Sequence, residues 1–166
     1  MSEHPLLQAD LILAELRKAD VQFVLIGGLA AQVHGSPSLT SDIDICFALD
    51  GANLDRLADA LHALVAVRRQ MPRGVTAPID ARALRAGDVF TLSTRYGDLD
   101  LLAHPDPGLD FEALSSRSIA AEVLGHRVRV AGLDDLMAMK RAAGRPKDRI
   151  ELEILGALRE ELDRRA

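Results

Sequence analysis

The feature that most constrains the fold is Asp42-Ile43-Asp44-Ile45, where two carboxylates alternate with two isoleucines. Successive side chains of a β-strand point to opposite faces, so the pattern predicts a strand with both acids on one face and both isoleucines buried on the other. Two carboxylates this close repel each other unless a cation lies between them. Hard divalent cations such as Mg²⁺ favour carboxylates together with substrate phosphates. The pattern therefore indicates a buried strand that carries a metal site.

Two glycines, Gly27 and Gly28, follow an apolar run and precede a short segment of small residues. Glycine lets the backbone approach a ligand closely, and N–H groups at the start of a helix attract phosphate. Taken singly, the glycine pair has the alternative of a tight strand-to-helix turn. The acids of the next strand have the alternative of two solvated side chains. In combination, the two patterns indicate phosphates and a metal held side by side.

A third carboxylate is expected on a neighbouring strand, and Gly97-Asp98-Leu99-Asp100-Leu101-Leu102 supplies one. Asp98 and Asp100 would share a face of that strand. Asp100 lies deeper in the apolar run and is the predicted functional acid. Asp98 is expected to serve the turn before the strand.

Lys140 continues an apolar helical stripe formed by Leu133, Leu136 and Met137. Burying an ammonium group without a partner is costly, so Lys140 either extends to water or reaches an anion such as a nucleotide phosphate. Asp148 likewise falls on the inward stripe of the last helix. Its alternative role is charge compensation at that helix's N-terminus.

A dense basic cluster surrounds this lysine, although the chain carries a formal net charge of −5. Such an asymmetry suits a phosphate-rich ligand, and a solvated basic surface is the alternative. The cluster comprises Lys140, Arg141, Arg145, Lys147 and Arg149. Arg68, Arg69 and Arg73 are candidates to extend it.

Composition indicates a single domain, because 166 residues with 48% apolar content suffice for one core. Aromatic residues make up only 3%, which argues against a base-stacking platform for single-stranded nucleic acid. Cys46 is the only cysteine, so no intrachain disulfide forms. We expect a cytoplasmic protein without membrane association, because the sequence shows neither a signal peptide nor an apolar run of about 20 residues.

The periodicity predicts alternating helices and strands without a repeated βαβ unit. This is typical of an α+β fold, a mixed β-sheet flanked by helices, within one domain spanning 1–166 whose C-terminal part from about 133 is helical. The predicted helices are 5–19, 29–34, 54–65, 79–86, 133–143 and 147–164. The predicted strands are 21–26, 43–49, 89–94, 99–104, 119–123 and 127–130, and 68–78 is a predicted loop.

These motifs together resemble a known family. Ile26-Gly27-Gly28 followed by Thr40-Ser41-Asp42-Ile43-Asp44-Ile45 resembles the signature of the minimal nucleotidyltransferases of the DNA polymerase β superfamily. The segment 94–102 and the pattern Lys-x-x-x-x-Arg-x-Lys-Asp at 140–148 are similar to the AbiEii and MenT type, the toxin halves of bacterial toxin–antitoxin pairs. The likeness spans roughly 21–158.

The resemblance implies a nucleotidyltransferase-like sheet with C-terminal helices, a nucleoside triphosphate substrate, and Mg²⁺ or Mn²⁺ ions held by Asp42, Asp44 and Asp100. It implies that the triphosphate contacts Gly27, Gly28, Thr40, Ser41, Lys140, Arg145 and Lys147. It also implies a catalytic set of Asp42, Asp44, Asp100, Lys140 and Asp148. One position departs from the family, because Ser38 stands where an arginine is frequent.

The function implied is transfer of a nucleotide from NTP to an acceptor hydroxyl, with the 3′ end of tRNA or another RNA as acceptor. The implied partner is a cognate antitoxin, either kinase-like or DNA-binding. In some pairs the antitoxin phosphorylates a hydroxyl at the place that Thr40 and Ser41 occupy here. Two alternatives are nucleotidylation of a protein partner and an inactive module that binds a nucleotide or a partner.

Overall fold

The computed structural model describes residues 5–72, 74–75 and 77–166, so Arg73 of the predicted basic extension lies outside the described residues. Helices and strands alternate along the chain. In order they are α1 (Ala9–Lys18), β1 (Phe23–Ile26), α2 (Gly27–Val33), β2 (Asp42–Phe47), α3 (Gly51–Ala63), β3 (Val67–Arg68), α4 (Ala81–Ala86), β4 (Val89–Thr94), β5 (Gly97–Leu102), α5 (Phe111–Ser116), β6 (Ile119–Val123), β7 (His126–Val130), α6 (Leu133–Ala143) and α7 (Pro146–Arg165).

The strands form one mixed sheet in the order β3-β4-β5-β2-β1-β7-β6. Strand β2 runs parallel to β5, and β1 runs parallel to β7, while the other neighbouring pairs are antiparallel. This confirms the predicted α+β fold with a mixed sheet flanked by helices. In the register, Asp44 faces both Ile26 of β1 and Asp100 of β5. The acidic positions therefore meet near the middle of the sheet.

The central strands are fixed by burial of the residues that alternate with the acids. Ile43 and Ile45 of β2 and Leu99 and Leu101 of β5 are each 0% exposed. Burying one such side chain contributes about 1.5–3 kcal/mol. A one-residue slip of either strand would turn these groups to the other face and the acids into the core. The apolar set therefore holds the register that places the acids.

Most predicted segments differ from the observed elements by one to four residues at an end, and two of these differences are informative. The first helix was predicted from Pro5 but begins at Ala9. The predicted loop at 68–78 starts inside strand β3, which pairs with β4, and the Arg69 N–H donates to the Thr91 carbonyl at 3.0 Å. Pairing with β4 supplies backbone partners that composition alone does not reveal.

Helix α5 was not predicted. It is six residues long, and the Asp110 side chain caps it by accepting from the Ala113 N–H at 2.9 Å. Among its residues Leu114 is buried. A single buried position gives no helical periodicity, so tertiary packing decides this element.

The C-terminal helices form as predicted. Helix α6 ends at Gly144, which adopts a left-handed conformation with φ of 64°, and Pro146 begins α7. These two helices contact each other, and α6 also contacts α2. Among the described residues, no helix is both long enough and apolar enough to cross a bilayer.

Candidate active site

The glycine corner, Gly27 and Gly28, joins β1 to α2. Gly27 has a φ of +70°, a conformation that other residues adopt only with strain, and its α-carbon packs against the carboxylate of Asp44. A β-carbon on Gly28 would lie 2.9 Å from the side chain of Thr40. Both glycines are therefore required by close approach of the backbone to β2 and to the loop before it.

Three acids converge beside this corner. Asp42 and Asp44 lie on one face of β2, and Asp100 lies next to Asp44 on the parallel strand β5. Each of the three offers a carboxylate oxygen, and these oxygens lie within 4.8 Å of one another. The structure thus brings together residues that are 58 positions apart in the chain.

The carboxylates of this cluster repel one another. Burial, followed by the neighbouring carboxylates of Asp42 and Asp100, raises the pKa of Asp44 to about 7, while Lys140 acts in the opposite direction. Burial also raises the pKa of Asp100, although the Arg69 guanidinium opposes this. Without a nearby counter-cation, full ionisation of the cluster is costly.

The donor set fits a hard divalent cation. All three donors are carboxylate oxygens, which suit Mg²⁺ or Mn²⁺ better than softer metals. Three such ligands would leave coordination positions for phosphate oxygens and water. The raised pKa of Asp44 is the expected consequence of a cluster that is compensated only when such an ion binds.

The loop 36–41 forms the other side of the corner. The Thr40 hydroxyl donates to the backbone carbonyl of Asp42 at 2.9 Å, and its oxygen lies 3.3 Å from Asp42 Oδ1. Thr40 therefore ties the loop to the first acid. Ser41 is exposed, and Ser38, which replaces the frequent arginine, lines the same cleft.

The end of α6 and the start of α7 bring three of the five residues of the predicted basic cluster to the acids. Lys140, Arg145 and Lys147 line a cleft of about 370 Å³ together with the glycine corner and all three acids. The cations of the helical turn and the carboxylates of the sheet therefore face one cavity. This arrangement can hold a chain of phosphate groups next to a metal site.

Asp148 lies behind these cations rather than among the metal-site acids. It is 0% exposed, and its carboxylate accepts from the Arg145 Nε at 2.7 Å and from the Arg145 backbone N–H at 3.1 Å. Lys140 Nζ lies 3.4 Å from its other oxygen. Burial favours a higher pKa for Asp148, but donation from Arg145 outweighs burial and holds that pKa below its ordinary value. The geometry gives Asp148 the task of holding Lys140 and Arg145.

Asp98 does not serve the turn, contrary to the prediction. It lies within β5 and accepts from the Ser93 hydroxyl at 3.0 Å, while its second oxygen lies 3.0 Å from Arg69 Nη1. Arg69 Nη2 lies 2.6 Å from Asp100 Oδ1. Sequence reasoning treated Arg69 only as an extension of a basic patch, because pairing of β3 with β4 gives no pattern in the chain itself.

Several solved structures share this fold. The lincomycin-bound lincosamide antibiotic adenylyltransferase LnuA matches with a TM-score of 0.61 at 14% identity, over 93% of this chain and 99% of that one. The antibiotic-resistance factor ANT(2″)-Ia matches with a TM-score of 0.54 at 18% identity, over 93% and 88%. A Thermotoga maritima protein described as a nucleotidyltransferase matches with a TM-score of 0.54 at 17% identity, over 99% of both chains. These likenesses show the nucleotidyltransferase fold.

Sequence comparison assigns the family. None of the curated proteins compared with the chain matches it. The sequence model of the aminoglycoside-2″-adenylyltransferases matches residues 9–155, which include the glycine corner, the three acids and Asp148. The protein is a nucleotidyltransferase and belongs to the aminoglycoside-2″-adenylyltransferase family.

Proposed function

We propose that this protein transfers the nucleotidyl group of an NTP to a hydroxyl group of a small polyhydroxylated acceptor. ATP is the NTP that we propose first. The observation that carries the proposal is the convergence of Asp42, Asp44 and Asp100 within 4.8 Å beside the glycine corner. The family model supports adenylyl transfer. An inactive binding module would have no need to keep three mutually repelling acids together.

The charges that line the cleft indicate where the triphosphate would bind. Gly27, Gly28 and Ser41 line the cleft and would contact the triphosphate, and the cations Lys140, Arg145 and Lys147 would offset its charge. Asp42, Asp44 and Asp100 would hold Mg²⁺ or Mn²⁺. When bound, the metal neutralises phosphate charge and polarises the α-phosphate.

The proposed reaction is a single transfer of the nucleotidyl group to the acceptor. The acceptor oxygen bonds to the α-phosphorus, the bond from that phosphorus to the β-phosphate oxygen breaks, and pyrophosphate leaves. The proton of the acceptor hydroxyl passes to the Asp100 carboxylate, at the oxygen that Arg69 leaves free. Most of the rate acceleration comes from alignment and charge neutralisation within the cleft.

The acceptor proposal rests on similarity to proteins that act on or bind antibiotics. The family model is that of enzymes named for an aminoglycoside acceptor, and the LnuA structure holds lincomycin. We therefore place a hydroxyl-rich antibiotic of this kind first among acceptors.

A second candidate is an RNA 3′ end, with the protein acting as the toxin of a toxin–antitoxin pair. The observation that favours it is the exposed basic surface of Arg141, Arg145, Lys147 and Arg149 beside the cleft. Such a surface suits a phosphate backbone. A kinase-like antitoxin that phosphorylated Thr40 would place new negative charge next to Asp42, whose backbone the Thr40 hydroxyl contacts.

One experiment separates these acceptors. The purified protein is incubated with α-labelled ATP, GTP, CTP or UTP and Mg²⁺ or Mn²⁺, with aminoglycosides, lincosamides, tRNA and bacterial protein as separate acceptors. Label on a small molecule is expected, and it should vanish with Asp44→Asn. Label confined to tRNA would establish the RNA candidate, and label on protein would establish nucleotidylation of a partner. Absence of label from every acceptor would overturn the enzymatic proposal.

A further inference from the structure

Arg69 lies directly behind the third acid of the cleft. Its guanidinium forms a fork in which Nη2 lies 2.6 Å from Asp100 Oδ1 and Nη1 lies 3.0 Å from Asp98 Oδ2. Nη1 also donates to the Leu92 carbonyl at 3.2 Å. The side chains of Arg69 and Asp100 are 23% and 17% exposed, so water competes only weakly for these contacts.

The fork is itself anchored. The backbone N–H of Arg69 donates to Thr91, opposite Asp100 in the β4–β5 register. The Ser93 hydroxyl donates to Asp98 Oδ1 at 3.0 Å, which fixes the second carboxylate that the fork grips. A rigid planar guanidinium held at three points loses little further freedom when it binds a carboxylate.

The contact with Arg69 involves only one of the two carboxylate oxygens of Asp100. Oδ1 accepts from Arg69, which leaves Oδ2 free of that contact. Both terminal nitrogens of Arg69 are already engaged by Asp98, Leu92 and Asp100. These contacts use three of the five N–H donors of the guanidinium.

We propose that Arg69 is a positioning residue that orients Asp100, with Asp98 acting as its anchor, so that one Asp100 oxygen faces Asp42 and Asp44 for the divalent cation. The inference rests on the proposed function. Carboxylates that bind metals are oriented by hydrogen bonds from neighbouring side chains. We infer that Ser93, Asp98 and Arg69 orient Asp100 in this way.

The first test measures metal binding without catalysis. Binding of Mn²⁺ to the nucleotide-free protein is followed by the electron paramagnetic resonance signal of free Mn²⁺, for wild type, Arg69→Met and Arg69→Lys. We expect Arg69→Met to weaken binding by about 10-fold, within the roughly 10–100-fold range for second neighbours of a metal. We expect Arg69→Lys to lie between the two, since lysine keeps the charge but grips only one carboxylate.

The second test uses kinetics. Arg69→Met should lower kcat by about 10–100-fold, with the KM for NTP changing by less than about 3-fold, because Arg69 acts on Asp100 and not on the nucleotide. Asp98→Asn should give a smaller defect of the same kind. Because both residues act through one contact, Arg69→Met with Asp98→Asn should be no worse than Arg69→Met alone.

Matched controls separate positioning from general stability. Arg117→Met removes another arginine–aspartate pair, in which Arg117 Nε lies 2.9 Å from Asp135 Oδ2, and Mn²⁺ binding should be unchanged. If Arg69→Met does not fold, Asp98→Asn carries the test through its Mn²⁺ affinity. Equal or tighter Mn²⁺ binding by the Arg69 and Asp98 variants, with binding abolished by Asp44→Asn, would overturn this inference alone. Absence of Mn²⁺ binding by wild type would overturn it together with the proposed function.

Discussion

A β-carbon placed on Gly27 would lie 2.2 Å from Oδ2 of Asp44 and 2.8 Å from its carboxyl carbon. The backbone corner that ends β1 therefore packs directly against one of the three acids of the cleft. The antiparallel register, in which Ile26 faces Asp44, brings the two into contact. The glycine corner and the acidic strand β2 are thus parts of one packed unit.

Gly27→Ala tests this contact. The substitution should displace the Asp44 carboxylate and lower activity by at least about 100-fold, in addition to a strain of about 1–2 kcal/mol from positive φ. Gly125→Ala is the matched control, because Gly125 has a φ of +84° and a β-carbon there meets nothing within 4 Å. Label transfer and urea unfolding are measured for both variants. Equal activity loss in the two variants would show that backbone strain alone is responsible.

The raised pKa of Asp44 predicts how stability varies with pH in the metal-free protein. In the unfolded chain Asp44 ionises near 3.8, whereas in the folded chain it keeps its proton up to about 7. The folded state binds the extra proton in this window, so the free energy of unfolding falls as pH rises from about 4 to 7. The fall should reach the order of 4 kcal/mol, and the raised pKa of Asp100 acts in the same direction.

Urea unfolding in EDTA at several pH values checks this slope. Asp44→Asn should remove most of it, whereas Glu160→Gln, a change at an exposed position of α7, should keep it. Adding Mn²⁺ should stabilise the wild type more at pH 8 than at pH 5, since the carboxylates are then free of protons. A stability that rises through this window in EDTA would contradict the electrostatic description of the cluster.

Lys140 and Asp148 predict two separable defects. Lys140→Met should raise the KM for NTP by about 10-fold with little change in the free energy of unfolding, because Lys140 lines the cleft. Asp148→Asn should lower the free energy of unfolding by about 1.5–3 kcal/mol, because Asp148 is buried and accepts three hydrogen bonds from Arg145.

The pH dependence of the second effect has a definite sign. The pKa of Asp148 is depressed in the folded state, so its stabilisation is present above the unfolded value of about 3.8 and is lost as pH falls further. Unfolding of wild type and Asp148→Asn between pH 3 and 7 measures it. A difference that grows toward acid pH would show that the contacts of Asp148 are not those of a carboxylate.

Loss of the Thr40 hydroxyl should impair the positioning of Asp42. Its hydroxyl donates to the Asp42 carbonyl, so Thr40→Val should lower kcat by about 10-fold, while Thr40→Ser should keep near-normal activity. Steady-state label transfer compares the two with Ser41→Ala, which should instead raise the KM for NTP. Normal kcat in Thr40→Val would mean that Asp42 needs no support from the loop.

The fold was largely readable because its periodicities are local. The alternation in β2 and β5 places each acid on a strand face, and apolar spacing located α3 within three residues of its bounds and α6 at its observed bounds. Helix α5 and strand β3 were missed because each is short and depends on partners distant in the chain. Short elements gain little from local propensity and are decided by packing.

For the site, the sequence by itself determined the three acids, the glycine corner and the basic turn, since each is a pattern of neighbouring residues. Only the tertiary structure decided which task each charged group has. Register placed Asp100 beside Asp44, Arg69 reached Asp98 and Asp100 from about 30 residues away, and Asp148 folded inward to hold Lys140 and Arg145. The physical reason is that contact between charges depends on distance in space, which strand pairing and helix packing create and which no local spacing in the chain encodes.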